Sequence, residues 1–127
     1  MENAKQLNPA SLAFVGDAVY ELLVRERLCE ISRPSKELHS LSVRFVSAAA
    51  QVQGFKVIEP LLTEEEIEIF KRGRNFHTKS FPKSVSVQEY RIATGLEVLF
   101  GFLHMSNNKE RQNQLFSLIW EDFKGKL

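Results

Sequence analysis

Apolar residues recur along this chain at spacings of three and four, and no stretch holds the alternation of a half-buried strand. The pattern predicts an all-α domain. A first helix is expected from Asn8, as N-cap, and Pro9, at the first helical position, to about Cys29. Leu12, Val15, Val19, Leu22 and Leu23 make its expected core stripe. Arg33-Pro34-Ser35 breaks the chain, a short helix follows from Ser35 to Val43, and another runs from Ser47 to near Glu59-Pro60. Thr63 and Glu66 match a capping box, with Leu62 and Ile67 as its hydrophobic staple. Ser86 and Glu89 repeat the device, with Val85 and Tyr90 as the staple. The helix from Glu64 is expected to stop at Gly73, a good left-handed residue past a helix end. Residues 73 to 85, with Pro82 and several cations, read as a mobile loop. A long helix follows from Val87 to about Met105, and Asn107-Asn108 turns and caps the last one. That helix carries Leu115, Leu118, Ile119, Trp120 and Phe123 toward the core.

Composition narrows this little. With 127 residues, the chain is expected to form one domain, 1–127, with a core of its own. Hydrophobic residues make up 43% and charged residues 26%, an ordinary globular balance. The single cysteine, Cys29, cannot form an internal disulfide and is expected to pack as a buried thiol. A reducing cytoplasm is the simplest setting. Met1 to Leu7 lacks the apolar stretch of a signal peptide, and Asp17 and Glu21 interrupt the longest apolar region.

Net charge is +1, so bulk charge does not advertise a polyanion partner, but its distribution does. Glu59, Glu64, Glu65, Glu66 and Glu68 crowd one segment, where acids favour a helix N-terminus. Lys71, Arg72, Arg74, Lys79, Lys83 and Arg91 crowd the next, opposed only by Glu89. They are the candidate nucleic-acid contacts.

Two acids sit where acids are uncommon. Asp17 lies within Leu12-Ala13-Phe14-Val15-Gly16-Asp17-Ala18-Val19, and Glu97 lies between Leu96 and Val98-Leu99-Phe100. An ionised carboxylate in apolar ground needs a partner. Small residues flank both: Ala13, Gly16 and Ala18 around Asp17, and Ala93, Thr94 and Gly101 around Glu97. They let two helices approach closely, and a crossing there sets the two acids face to face. Something positive must then lie between them, and a hard divalent cation such as Mg²⁺ suits oxygen ligands. Taken singly, each acid also fits a buried Arg partner or a helix cap. His39, His77 and His104 show no ligand-like spacing, and Glu21 reads as a carboxylate near Asp17 or at the surface.

The first segment resembles the signature helix of the ribonuclease III family, Glu-Phe-Leu-Gly-Asp-Ala-Val-Leu. Ala93-Thr94-Gly95-Leu96-Glu97-Val98-Leu99-Phe100-Gly101 resembles the family's second motif, Ala-Asp-x-x-Glu-Ala-x-x-Gly. Lys71-Arg72-Gly73-Arg74-Asn75 and Tyr90-Arg91 fit the Mini-III branch, which is reduced to the catalytic domain. The resemblance implies a ribonuclease III-type helical bundle, homodimeric, without a double-stranded-RNA-binding domain. It implies that Asp17 and Glu97 are catalytic and hold Mg²⁺, with Mn²⁺ as a substitute. It implies that Phe14 inserts into the partner subunit. The implied activity is endonucleolytic cleavage of double-stranded RNA, not DNA, to 5′-phosphate and 3′-hydroxyl ends, with the precursor of large-subunit (23S) ribosomal RNA as substrate. Ala13 and Thr94 stand where larger relatives have acids, which implies weaker metal binding. The same departures leave open a non-cleaving module that binds structured RNA, and a helical dimer whose acids form ion pairs.

Overall fold

The structure, a computed structural model, describes residues 3–76 and 86–127. All regular structure among them is helical. After a 3₁₀ turn at Ala4–Gln6 come α1 (Pro9–Leu28), α2 (Ser35–Phe45) and α3 (Ala48–Ile58). A second 3₁₀ turn at Glu59–Leu61 leads to α4 (Glu64–Arg74), α5 (Val87–Met105) and α6 (Lys109–Lys124). No helix among the described residues is long and apolar enough to cross a membrane.

The starts follow the expected chemistry. Orphan backbone N–H groups at a helix N-terminus need acceptors, and short polar side chains supply them. Asn8 accepts from Ser11 N at 2.8 Å and Ser47 from Ala50 N at 3.2 Å. The Thr63–Glu66 capping box is complete in both directions. Ser86 accepts from Glu89 N at 3.1 Å. The staple residue Val85 lies outside the described residues. Asn107 takes the left-handed conformation (φ 57°), and Asn108 caps α6.

Helix α5 is the hub, with α1, α3, α4 and α6 packed around it. Leu96, Val98, Leu99 and Phe100 are fully buried. Tyr20 meets Phe100 and Phe116 edge-on, Phe55 stacks on Phe70 at 3.9 Å, and Phe45 stacks on Phe123 at 4.8 Å. Rings in such pairings add to the burial energy.

Several expectations need correcting. Leu22 and Leu118 face outward, 58% and 37% exposed, instead of joining the core. Cys29 is exposed, its thiol donating to Glu26 O at 3.0 Å. Gly73 does not end α4 in a left-handed turn; it is helical and buried, and Asn75 caps the helix. A Cβ on Gly73 would lie 2.6 Å from Val98 Cγ2, so the glycine is there to let α4 approach α5. Glu66 is 5% exposed and forms a two-pronged pair with Arg111, at 2.8 Å from both Nε and Nη2. Arg111 also donates to Leu61 O at 2.8 Å, tying the start of α4 to α6.

The tightest approach is between α1 and α5. A Cβ on Gly16 would fall 1.7 Å from Glu97 O, and one on Gly101 would fall 2.0 Å from Leu12 O. Backbone meets backbone there, and no side chain can yield. Gly101→Ala is therefore expected to cost about 3 kcal/mol or more in urea unfolding. Gly125→Ala, whose nearest neighbour would be 3.6 Å away, should change stability by less than about 0.5 kcal/mol.

Candidate active site

Contact between Gly16 and the Glu97 backbone fixes where the two acids go. Asp17 follows Gly16 directly, and its carboxyl meets that of Glu97 within hydrogen-bonding reach. The facing arrangement expected from the small residues is what the fold builds. The burial differs from expectation, because Asp17 is exposed on the rim while Glu97 is largely covered.

Electrostatics follow from that asymmetry. Burial pushes the Glu97 carboxyl up to about 8, aided by the neighbouring carboxyl and charge of Asp17 and opposed by the polar side chain of Gln51. Beneath it, the Tyr20 hydroxyl is raised, mainly by burial and further by the Glu97 charge. Among the described residues, the buried acid with an Arg partner is Glu66. Neither Asp17 nor Glu97 takes part in an ion pair there.

This donor set fits a hard divalent cation. It offers carboxylate oxygens from two helices and a like-charge contact that a cation would relieve. Among the described residues no three His, Cys, Asp or Glu side chains come together, here or elsewhere, so this pair would supply only two protein carboxylates. Ala13 brings no oxygen, and Thr94 turns its hydroxyl back to Tyr90 O at 2.9 Å. Glu21, one turn beyond Asp17, is held by Arg25 at 2.9 Å.

The basic residues do not act as one patch. Arg74 and Arg91 line a cleft of about 490 Å³ between α3, α4 and the start of α5. Lys56 joins them from α3; it lies outside the basic run and the sequence reading missed it. Val52, Phe55, Phe70 and Ile92 floor the cleft. Lys71 is exposed. Arg72 is held elsewhere, donating to Lys5 O at 2.9 Å and Leu7 O at 3.1 Å, which pins the N-terminal segment onto α4. Lys79, Lys83 and His77 lie outside the described residues. His39 and His104 are exposed, as a surface role requires.

Phe14 is 82% exposed on α1, and Ala18 and Leu22 continue its row at i+4 and i+8, both exposed. A bare row of this kind is uncommon on a helix that also lines the core.

The comparisons with known proteins give this all-helical domain, with its two facing acids, a nuclease class. The ribonuclease III domain model matches residues 10–108. The chain is 39% identical over 129 residues to the Mini-ribonuclease 3 of Streptococcus pneumoniae, covering 98% of this chain and all of that one. It is 42% identical to the Mini-ribonuclease 3 of a Thermoanaerobacter species (92% and 83% covered) and 39% identical to that of Clostridium tetani (93% and 80%). A crystal structure of a Fusobacterium nucleatum protein superimposes with a TM-score of 0.84 at 31% identity, covering 100% of both chains. The chain belongs to the ribonuclease III family and is an endoribonuclease of that type.

The raised Glu97 group makes stability depend on pH. Its folded form prefers the neutral acid, so the metal-free protein loses stability as pH rises from 4.5 through 8. Asp17→Asn removes one cause of the shift. In EDTA the variant should melt close to the unsubstituted protein at about pH 5 and above it at about pH 9. Equal melting temperatures at both would contradict the contact.

Proposed function

We propose that the chain is a Mg²⁺-dependent, cytoplasmic endoribonuclease that hydrolyses double-stranded RNA to 5′-phosphate and 3′-hydroxyl ends. The observation that carries this is the Asp17–Glu97 contact, two carboxyls brought together with no ion-pair partner for either among the described residues. Asp17 and Glu97 would hold the ion, and Mn²⁺ would serve in its place. A bound ion of this kind lowers the pKa of a water and neutralises charge developing on the phosphate.

The chain's own groups then have separate tasks. Asp17, on the rim, is reachable by a bulky duplex, while the covered Glu97 sits deeper. Lys56, Arg74 and Arg91 at the cleft, with Lys71, would meet the phosphate backbone, which carries affinity but no sequence information. Lys79 and Lys83 belong to the same proposal. Arg72 is better assigned to holding the N-terminal segment. A-form RNA is read by shape, phosphates and 2′-hydroxyls, so binding should be salt-sensitive and selective for structure. By the family resemblance, the natural substrate would be the precursor of 23S ribosomal RNA.

Two copies would bury the Phe14–Ala18–Leu22 row against each other. A two-fold dimer would set two acid pairs on one duplex, one for each strand. Phe14 barely touches its own protomer, so Phe14→Asp should leave helical content intact while halving the mass measured by light scattering.

Activity tests the central claim. Purified protein should cleave duplex RNA in Mg²⁺, and Asp17→Asn and Glu97→Gln should each lower the rate more than about a hundredfold, with duplex binding retained. Cleavage persisting in both variants would overturn the assignment. Binding without cleavage by the unsubstituted protein would leave a module that only holds structured RNA, a reading favoured by the absence of acids at Ala13 and Thr94.

A further inference from the structure

Phosphate contacts explain the rim of the cleft between α3, α4 and the start of α5, but not its floor. Lys56, Arg74 and Arg91 stand there against one acid, Glu59, so the rim is net positive. Among the described residues none of the three cations takes part in an ion pair. Asn75 Oδ1 accepts from Arg74 Nε at 3.2 Å, which steadies that guanidinium at the cleft. Below the rim lie Val52, Phe55, Phe70 and Ile92. The Phe55 and Phe70 rings are buried and stacked on each other, so this floor is preformed. A phosphate gains nothing on such ground, where its charge loses water without a partner. The cleft holds about 490 Å³, within the range of pockets that enclose a small organic ligand, roughly 300–1,000 Å³. An apolar floor under a cationic rim suits a group with both characters, a flat base joined to a phosphate.

We infer that the cleft takes one unpaired nucleotide of the bound RNA, its base on the apolar floor and its phosphate on the cationic rim. The inference rests on the proposal that the chain cleaves double-stranded RNA, and adds a second point of recognition to it. On α5, Arg91 precedes Glu97 by six residues, a rise of about 9 Å and a net rotation of about 240°. The cleft is therefore separate from the acid pair, yet within the span of a few nucleotides along a strand. A base inside a perfect duplex is stacked and paired, and extruding it is costly; a bulged base has already lost much of that stacking. Bases stack on aromatic side chains with little sequence preference. The Asn75 and Gln88 amides, also at the cleft, each offer a donor and an acceptor to a base edge. Recognition here reads an irregularity in the duplex, which phosphate contacts alone do not.

The test compares three RNA duplexes of one sequence, bound in EDTA and followed by fluorescence anisotropy: fully paired, with a bulged adenosine, and with an abasic residue in the bulge. The bulge is moved one position at a time so that every register is sampled. At the best position the bulged adenosine should bind about tenfold more tightly than the paired duplex, and the abasic bulge, which bends as easily but has no base, should lose that gain. Val52→Trp fills the floor, and Val87→Trp, at an exposed position, fills the mouth. The preference for the bulge should disappear in both. A preference seen at no position, or one that the abasic residue retains, or one that both tryptophan variants retain, overturns the inference. Adenosine monophosphate binding at the cleft with no gain from the bulge also overturns it, leaving a site for free nucleotides. If the paired duplex is neither bound nor cleaved in Mg²⁺, the double-stranded-RNA reading itself fails and the cleft proposal falls with it. If that duplex is bound and cut and the bulge changes nothing, only the cleft proposal fails.

Discussion

Backbone contact between α1 and α5 is the constraint on which the acid pair depends. Ordinary helices pack about 8–10 Å apart because side chains fill the gap. Here Gly16 presses on the Glu97 carbonyl and Gly101 on that of Leu12, and the two glycines lie on different helices. The crossing is therefore fixed at two points about a turn apart on each helix, which sets rotation as well as distance. Asp17 is the next residue after one of these points, and Glu97 is itself part of the other helix's contact. Short side chains on both helices can then meet. Gly73 and Gly95 do the same for α4 and α5, so α5 is approached closely from two sides.

The protein handles its two acid clusters in opposite ways. Glu66 is buried too, and burial alone would raise its pKa. Two bonds from Arg111 and those of the Thr63 cap outweigh that and hold it below the usual range. Glu97 has a second carboxyl beside it and, among the described residues, no Arg partner, and its pKa goes the other way, to about 8. A fold built for stability alone would use the first arrangement twice. Perturbed acids without a protein counter-charge are characteristic of functional sites, where a ligand completes the electrostatics. The contrast within one small domain favours the metal reading over the ion-pair reading.

Much of this was legible in the sequence because caps and glycines act locally. Asn8, Ser47, Thr63, Ser86 and Asn108 mark their helix starts to the residue, since each cap bonds a backbone N–H two or three positions on. The acid pair was legible from small residues flanking two isolated carboxylates. Local rules failed where a residue answers to a distant partner. Gly73 looks like a helix stop until Val98 and Gly95 are seen against it. Arg72 looks like a phosphate contact until its guanidinium reaches carbonyls more than sixty positions away.

Leu22 marks a different kind of failure, and an informative one. Helix α1 is apolar around most of its circumference, so a stripe drawn from sequence has no clear edge. Leu12, Val19 and Leu23 face the core, Phe14, Ala18 and Leu22 face out, and Asp17 and Glu21 lie between. A helix apolar on two faces gains most when both are covered. The core covers one, and a second copy is the covering argued above for the other. Asp17 would then sit at the seam between fold and assembly. Its exposure in the single chain and its contact with Glu97 are both what a ligand shared between a protein core and an incoming duplex requires. The rim position that contradicts a simple buried-acid reading of Asp17 is, on this account, the position the chemistry needs.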